Sequence, residues 1–429
     1  MNCKLRASVH GAWLCALLSV FGRAASAEPT ISSLDRARFV RDVLAANPTL
    51  ESARQSVRAA AARVRQAGPL PDPMIELGLA PLSLGSRDAR LGYEVSVSQE
   101  LPWFGKRGLE RDVASAEAEA ARADYEGMRR DLALSAATLY EQYYVATRAL
   151  EINEHHALLM RQMRDAALAQ LEIGRGSTQD SLRAEVELGQ LEQETIALQS
   201  EREIGVAQMN ELLHRAPESA LPAPSQSLTL PSVALDSDAA IEREARANRP
   251  EIAAAKQRAR AAQTRAERAA RDAYPDFTLS TSYNSMWDMP EHRWMIGVGF
   301  SLPIQAERRA GERDEANALH AQYQSESERA SDKATSEAFI AARRVREAST
   351  RLHLFDDRLL PLARKQVEAA RVAFTTSQTS LSELISAEKS LRDTELERER
   401  TLAQAELRRA ELEHALGRTP GASNAEEAR

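Results

Sequence analysis

The chain has 429 residues, and its 18 glycines and 17 prolines make up about 8% of it, against roughly 12% in average usage. With 28% charged residues and only 4 Trp, 8 Tyr and 8 Phe, the long runs of Ala, Glu, Arg, Gln and Leu describe long helices; they exclude a compact, sheet-rich catalytic domain and call for an elongated molecule. A formal net charge of −7 at pH 7 argues against a nucleic acid partner.

Lys4 and Arg6 precede an apolar stretch over 9–21, and Ala25-Ser26-Ala27 supplies the small residues of a cleavage site, so 1–27 reads as a secretory signal. The apolar run, about 13 residues, is too short to span a bilayer as a helix. Trp13-Leu14 before Cys15 lacks the small residue of a lipid-attachment site, and no lipid anchor is expected. Both cysteines, Cys3 and Cys15, leave with the signal, which removes disulfides, thiolate metal sites and cysteine nucleophiles together. Loss of Lys4, Arg6 and Arg23 carries the net charge from −7 to −10.

A helix is predicted over 33–67 from its Ala- and Arg-rich periodicity. Two strands follow, in which Ile75, Leu77 and Leu79 alternate with Glu76 and Gly78, and Tyr93, Val95 and Val97 alternate with Glu94, Ser96 and Ser98. Period two, with polar or small residues on one face and apolar residues with terminal aromatics on the other, is the pattern of a transmembrane β-strand. Gly105-Lys106 is not a phosphate loop, because Glu100 stands where its first glycine belongs. From 106 to 173 no proline occurs, and about 68 residues at 1.5 Å each predict a rod on the order of 100 Å. Its neighbouring His155 and His156 point apart and have no partner at helical spacing, so a solvated face is expected there rather than a metal site. Abundant Asp and Glu on these helices are expected to pair with Arg or Lys at i,i+4. A turn at Gly174 to Ser177 leads into a returning helix over 179–213, and 216–237, with Pro217, Pro222, Pro224 and Pro231, reads as a linker.

The plan then starts again. Ala46-Asn47-Pro48 has its counterpart in Ala247-Asn248-Arg249-Pro250, Leu101-Pro102 in Leu302-Pro303, Ala184-Glu185 in Ala387-Glu388, and the end Leu212-Leu213-His214-Arg215 in Ala415-Leu416-Gly417-Arg418. A helix is predicted over 238–273. Strands follow in which Phe277, Leu279 and Tyr283 alternate with Thr278, Ser280 and Ser282, and Trp294, Ile296, Val298 and Phe300 with Met295, Gly297 and Gly299. A long helix over 307–374 should kink at Pro361, and a helix over 381–416 returns after a second turn. The divisions are a signal at 1–27, a first repeat at 28–215, the linker at 216–237, a second repeat at 238–418 and a disordered tail at 419–429. Four strands cannot close a barrel, and open edges are not tolerated in lipid; three copies would give twelve strands.

The doubled helix, strand pair, long helix, turn, helix plan is carried by Ala46-Asn47-Pro48, by Ser96-Val97-Ser98-Gln99-Glu100-Leu101-Pro102 with Phe104-Gly105-Lys106, and by Gly174-x-x-Ser177 followed by Ala184-Glu185. It resembles the TolC family of outer-membrane efflux channels over nearly all of 30–418. The resemblance implies a mainly α fold with a small transmembrane β part. It implies a homotrimer with a twelve-stranded barrel and a periplasmic tunnel of twelve long helices, fed by an inner-membrane pump through a periplasmic adaptor. It implies no enzyme activity, catalytic residue or cofactor. Segment 99–106 and the loop from Met286 to Met295 are similar to members serving heavy-metal pumps of the resistance-nodulation-division type, the CzcC and CusC-like branch. Met286, Met289 and His292 would suit monovalent copper or silver; the other reading of this loop is an aromatic rim joining two strands. Family members place an acid after the second turn to narrow the periplasmic mouth, a place held by Glu383, with Asp180 roughly matching it in the first half. In a trimer each acid becomes a ring of three that favours cations; the alternative is a carboxylate favoured by a helix dipole. A second acid expected one turn on is Ser386 here, which departs from paired acidic rings. Gly174, Ser177, Ser377 and Thr379 at the turns leave room for an adaptor hairpin. Alternatives are a channel of this kind for drugs or other organic compounds, and a periplasmic coiled-coil adaptor. A secreted hydrolase would need a nucleophile or metal cluster that the sequence does not offer.

Overall fold

The computed structural model describes residues 33–81, 91–173, 177–225, 228, 237–376 and 378–421, and from Ser33 onward they form one unit. The segment 1–27 expected to be a secretion signal, the turn residues Gly174 and Ser377 and the last eight residues lie outside the described residues.

The segment 33–67 holds two helices where one was expected. Helix α1 (Arg36–Ala46) starts at Asp35, whose carboxylate accepts from the N–H of Arg38 at 3.2 Å. It stops at Asn47, because a residue before proline is driven out of the helical region, and Asn47 is extended at φ −73°, ψ 124°. Asn47 then caps α2 (Pro48–Gln66): its Oδ1 accepts from the N–H of Thr49 at 2.9 Å, with Pro48 in the first helical turn where no N–H is needed. Arg249–Pro250 repeats the break between α5 (Asp238–Asn248) and α6 (Pro250–Arg271).

Helix α3 (Lys106–Glu172) runs unbroken for 67 residues, about 100 Å of rod. It packs against α2, α6, α9 (Leu381–Ala415) and the returning α4 (Thr178–Leu212). Alanine dominates the buried positions, including Ala114, Ala116, Ala118, Ala120, Ala133, Ala136 and Ala137. Small side chains let helices approach at the short end of the usual 8–10 Å; this is why so few aromatics suffice. Arg258, Arg265 and Arg268 of α6 reach Asp124, Glu117 and Glu110 of α3. Steps of seven and then three residues along α6 are met by two steps of seven in the opposite direction along α3, the heptad-like spacing of an antiparallel coiled coil. At this exposure each pair contributes about 0–1 kcal/mol and serves mainly to fix register. Pairs within one helix are present too, as in Arg308–Glu312, but the crossed ladder is what i,i+4 reasoning does not give. In the second rod, α7 (Ala306–Leu354) and α8 (Leu360–Thr375) are joined by a π-helical turn, Phe355–Leu359. Pro361 lacks the N–H that would continue the ladder, and a widened turn just before it accommodates the missing bond.

Larger side chains gather where helix ends converge. Phe39, Val40, Val43, Leu50, Tyr140, Tyr143 and Met209 form one cluster, and Ile241, Ala245, Ala338, Ala342, Leu412 and Leu416 another. Towards the turns, Met160 packs with Ala184, Leu188, Leu191, Leu381, Leu384 and Ile385.

Four antiparallel strands, β1 (Met74–Leu79), β2 (Tyr93–Leu101), β3 (Phe277–Asn284) and β4 (Trp294–Phe300), form a single sheet in the order β1-β2-β3-β4. Both connections within the hairpins, β1 to β2 and β3 to β4, leave the sheet at the end remote from the long helices.

The described parts of the segments read as a linker and a tail make specific contacts. In the linker, Leu34 bridges to Pro224, the N–H of Leu34 donates to Ala223 O at 2.7 Å, and the buried Tyr140 hydroxyl donates to Leu34 O at 2.8 Å. Asn210 Nδ2 donates to the carbonyls of Pro217 and Ser219 at 3.0 and 2.8 Å. Past the second repeat, Pro420 is fully buried and the N–H of Gly421 donates to Glu413 at 3.2 Å.

Candidate functional site

The register sorts the sheet into two faces. Directly opposed residues share a face, so Ile75 with Val97, Leu77 with Val95, and Leu79 with Tyr93 and its neighbours build an apolar side. That side continues through Leu101 with Phe277, Val95 with Tyr283, and the pairs Phe277–Phe300, Leu279–Val298, Thr281–Ile296 and Tyr283–Trp294. It is open to its surroundings, Leu77 at 73% and Ile296 at 82% exposure. Aromatics close both ends of the apolar band. Tyr283 lies 5.9 Å from Tyr93 and 5.4 Å from Trp294 at the outer end. At the helix end Trp103 stacks on Tyr274 at 5.1 Å and on Phe277 at 5.5 Å. Phe277 and Tyr283 are six residues apart, so the band runs about 20 Å along the strand. Two aromatic girdles bracketing an apolar band are the pattern of a membrane-spanning β surface. The opposite face reads Glu76–Ser96–Ser282, Ser98–Ser280–Gly297, Gly78–Glu94–Asn284 and Glu100–Thr278–Gly299, with Met74 and Met295 as its apolar exceptions.

Where the sheet meets the rods, the segment rejected as a phosphate loop has a structural task. Gly105 adopts φ +87° against the Arg271 side chain, a conformation and approach that a Cβ would obstruct. The Lys106 ammonium, its side chain 7% exposed, lies 3.0 Å from both carboxylate oxygens of Asp276 and 3.3 Å from Asp272 and from the carbonyl of Tyr274. Asp276 also accepts from the N–H of Trp103 at 2.6 Å. This clamp fastens the start of α3 to the entry of β3 and positions one strand pair beside the other.

At the outer end, Met286, Met289 and His292 sit on the β3–β4 connection, whose short 3-10 turn is Pro290–His292. All three are exposed, and the His292 ring stands edge-on to Trp287 at 6.2 Å. Met286 is packed beside Gly92. Among the described residues, another grouping with metal-ligating atoms is Asp131, Glu251 and His414, far along the chain from this loop. There His414 Nε2 contacts Asp131 at 2.7 Å, while Glu251 is held by Arg249 at 3.0 Å, an ion-pair junction.

The two acids proposed for the aperture occupy equivalent places. Ser177 caps α4 by accepting from the N–H of Gln179 at 3.1 Å, and Ser380 caps α9 by accepting from the N–H of Glu383 at 3.4 Å. Asp180 and Glu383 are therefore both the third residue after their caps, as in a capping box, and the Thr379 hydroxyl donates to Glu383. The helix dipole favours a carboxylate at this point. Glu383 is exposed and Asp180 half-buried; Ser177 is exposed and Thr379 half-buried on the turns beside them.

Several buried polar groups between α3 and α9 escaped the sequence. His155 is solvated, but His156 is 2% exposed: its Nε2 lies 3.2 Å from Glu395, and Nδ1 lies 4.0 Å from the buried Glu388. Burial pushes the Glu395 carboxyl up, but the His156 hydrogen bond and the charges of His156 and Arg364 outweigh it and hold it below the usual range. Arg36 reaches Glu406 at 2.7 Å and Glu141 at 3.2 Å. Desolvation, with repulsion from Glu406 and against the pull of Arg36, raises Glu141 to about 7. The Tyr144 hydroxyl donates to Glu399 at 2.8 Å. These positions are one helical face of α3, but the sequence carries no sign of which helix covers that face.

Residues 39–213 match the family described as outer membrane efflux protein. No curated protein matches the chain at a significant level. Among solved structures, the fold is similar to that of CusC, studied for the conformational changes that accompany folding and transmembrane channel formation. Identity is 19% and the TM-score 0.75, over 89% of this chain and 92% of that one. The outer membrane protein VceC of Vibrio cholerae is 18% identical with a TM-score of 0.75, over 89% of this chain and 96% of its own. The Campylobacter jejuni CmeC outer membrane channel is 14% identical with a TM-score of 0.74, over 99% and 96%. At these identities the fold is what is shared.

Proposed function

We propose that this chain, whose residues 39–213 match the outer membrane efflux protein family, is a member of that family and the trimeric exit channel of a tripartite system that discharges heavy-metal cations. The observation that carries the reading is the sheet: four strands with sorted faces, apolar and aromatic-bracketed on one side, with β1 and β4 as outer strands of an open order. An open edge in lipid leaves backbone groups unpaired at several kcal/mol each. Pairing β1 of one copy with β4 of the next meets that demand, and three copies give a closed barrel of twelve strands, an allowed even number. The rods of α3 and α7–α8 would continue the barrel as a periplasmic tunnel.

Cations fit the polar face better than anions do. Among the described residues its ionisable groups are Glu76, Glu94 and Glu100, and none of the four strands contains Lys or Arg. Heavy metals are favoured by the resemblance of 99–106 and 286–295 to the metal-serving branch, and by the thioethers and imidazole of Met286, Met289 and His292 at the outer mouth. Asp180 and Glu383 would form threefold acidic rings at the periplasmic mouth. The turns bearing Ser177 and Thr379, together with Gly174 and Ser377, would receive the hairpins of a periplasmic adaptor coupled to an inner-membrane pump. The channel conducts passively.

A deletion strain tests this. Tolerance to at least one of copper, silver, zinc, cobalt and cadmium should fall and be restored by the intact gene. Unchanged tolerance to all five, with new sensitivity to organic drugs, would overturn the metal assignment and favour the organic-compound channel.

A further inference from the structure

We propose that Glu76, Glu94 and Glu100 give the barrel section its own cation selectivity, in addition to any selectivity set at the periplasmic mouth. The inference rests on the channel reading above, in which the polar sheet face lines the lumen. Register places all three carboxylates on that face and none on the apolar one. Their directly opposed neighbours are Ser96 for Glu76, Gly78 and Asn284 for Glu94, and Thr278 for Glu100. None of these can neutralise a carboxylate. Glu94 accepts one hydrogen bond, from Asn284 Nδ2 at 3.3 Å, and among the described residues none of the three glutamates has an ion-pair partner. The nearby Lys106 is already committed to Asp272 and Asp276.

The spacing makes the three act together. Glu76 pairs with Ser96, so the carboxylates stand at the levels of residues 94, 96 and 100 along β2, steps of about 7 and 13 Å. In a trimer these become three rings of three. The rings are separated by about one Debye length at 0.1 M salt, roughly 10 Å, so their fields overlap along the barrel. Twelve strands at about 4.8 Å and a tilt near 40° enclose a backbone cylinder about 24 Å across. Once side chains are included, the axis lies within about one Debye length of the wall at 0.1 M. At 1 M, where screening falls to about 3 Å, the axis escapes the field. A lumen potential of only about one kT, small beside the several kT that one-signed clefts reach, would enrich cations over anions about sevenfold.

The test is the reversal potential of the full-length trimer in planar bilayers under a potassium chloride gradient. The wild-type channel should prefer potassium over chloride several-fold near 0.1 M and approach parity near 1 M. The Glu76→Gln/Glu94→Gln/Glu100→Gln variant should lose most of that preference at low salt, while Asp180 and Glu383 remain. Glu94→Lys alone should lower the preference further than Glu94→Gln, a comparison available if the triple variant assembles poorly. Pores whose selectivity is untouched by these changes would overturn the assignment and leave the channel standing. A trimer that forms no pores would overturn the channel reading, and this inference with it.

Discussion

Replacing Lys106 with Met tests whether the sheet is fastened to the rods by charge. Methionine keeps most of the buried stem, so what is lost is the ammonium and its contacts: two 3.0 Å contacts to Asp276, and 3.3 Å contacts to Asp272 and the Tyr274 carbonyl. Removing one partner of a fully buried pair costs 3–5 kcal/mol, because the other charge stays behind unpaired. Lys106 is 7% exposed, but Asp272 and Asp276 retain 32% and 29% of their side-chain exposure, which points to the low end, about 3 kcal/mol. Hydrogen exchange in peptides over 101–109 and 272–278 reports the local opening equilibrium, and exchange there should accelerate on the order of 100-fold. The Lys106→Met/Asp276→Asn double variant should recover part of the loss, since the carboxylate stranded by the first change is then neutral. Exchange within threefold of wild type in the single variant would refute the clamp.

Two further outcomes follow from buried polar groups. Glu141 titrates near 7 in the folded chain against an ordinary 4.5, so the folded state holds the extra proton between those values and stability should fall as pH rises through that window, by on the order of 3 kcal/mol. Denaturant midpoints at pH 5 and pH 8 should differ in that direction and nearly coincide in Glu141→Gln; a wild-type midpoint that rises with pH would contradict the assignment. Asn47→Ala removes the α2 cap and the 3.0 Å bond from Nδ2 to Leu212 O, at a cost of about 1–2 kcal/mol in denaturant unfolding. Asn47→Asp keeps the cap but not the donor and should fall between.

The sequence alone determined what depends on local periodicity and chain-breaking residues. Four alternating segments became four strands because a period of two leaves no other way to separate Glu76, Glu94 and Glu100 from Ile75, Val95 and Leu101. The proline-free run from Lys106 became one rod for the same local reason. Pro48 and Pro250 were visible as residues, and the helix breaks before them could have been read from the restriction a proline places on its predecessor. The capping serines with acids three residues later, Ser177 with Asp180 and Ser380 with Glu383, were equally legible. Tertiary structure decided everything that depends on which surface meets which. His156 is buried and His155 is not only because α9 brings Glu388 and Glu395 against one face of α3. The clamp on Lys106 needs Asp272 and Asp276, some 170 residues away. The described start of the linker is held because Asn210 meets the carbonyls of Pro217 and Ser219, backbone groups that no periodicity announces. Charges separated by a whole repeat interact through space, and their partners are set by the packing of long rods, which a one-dimensional pattern does not contain.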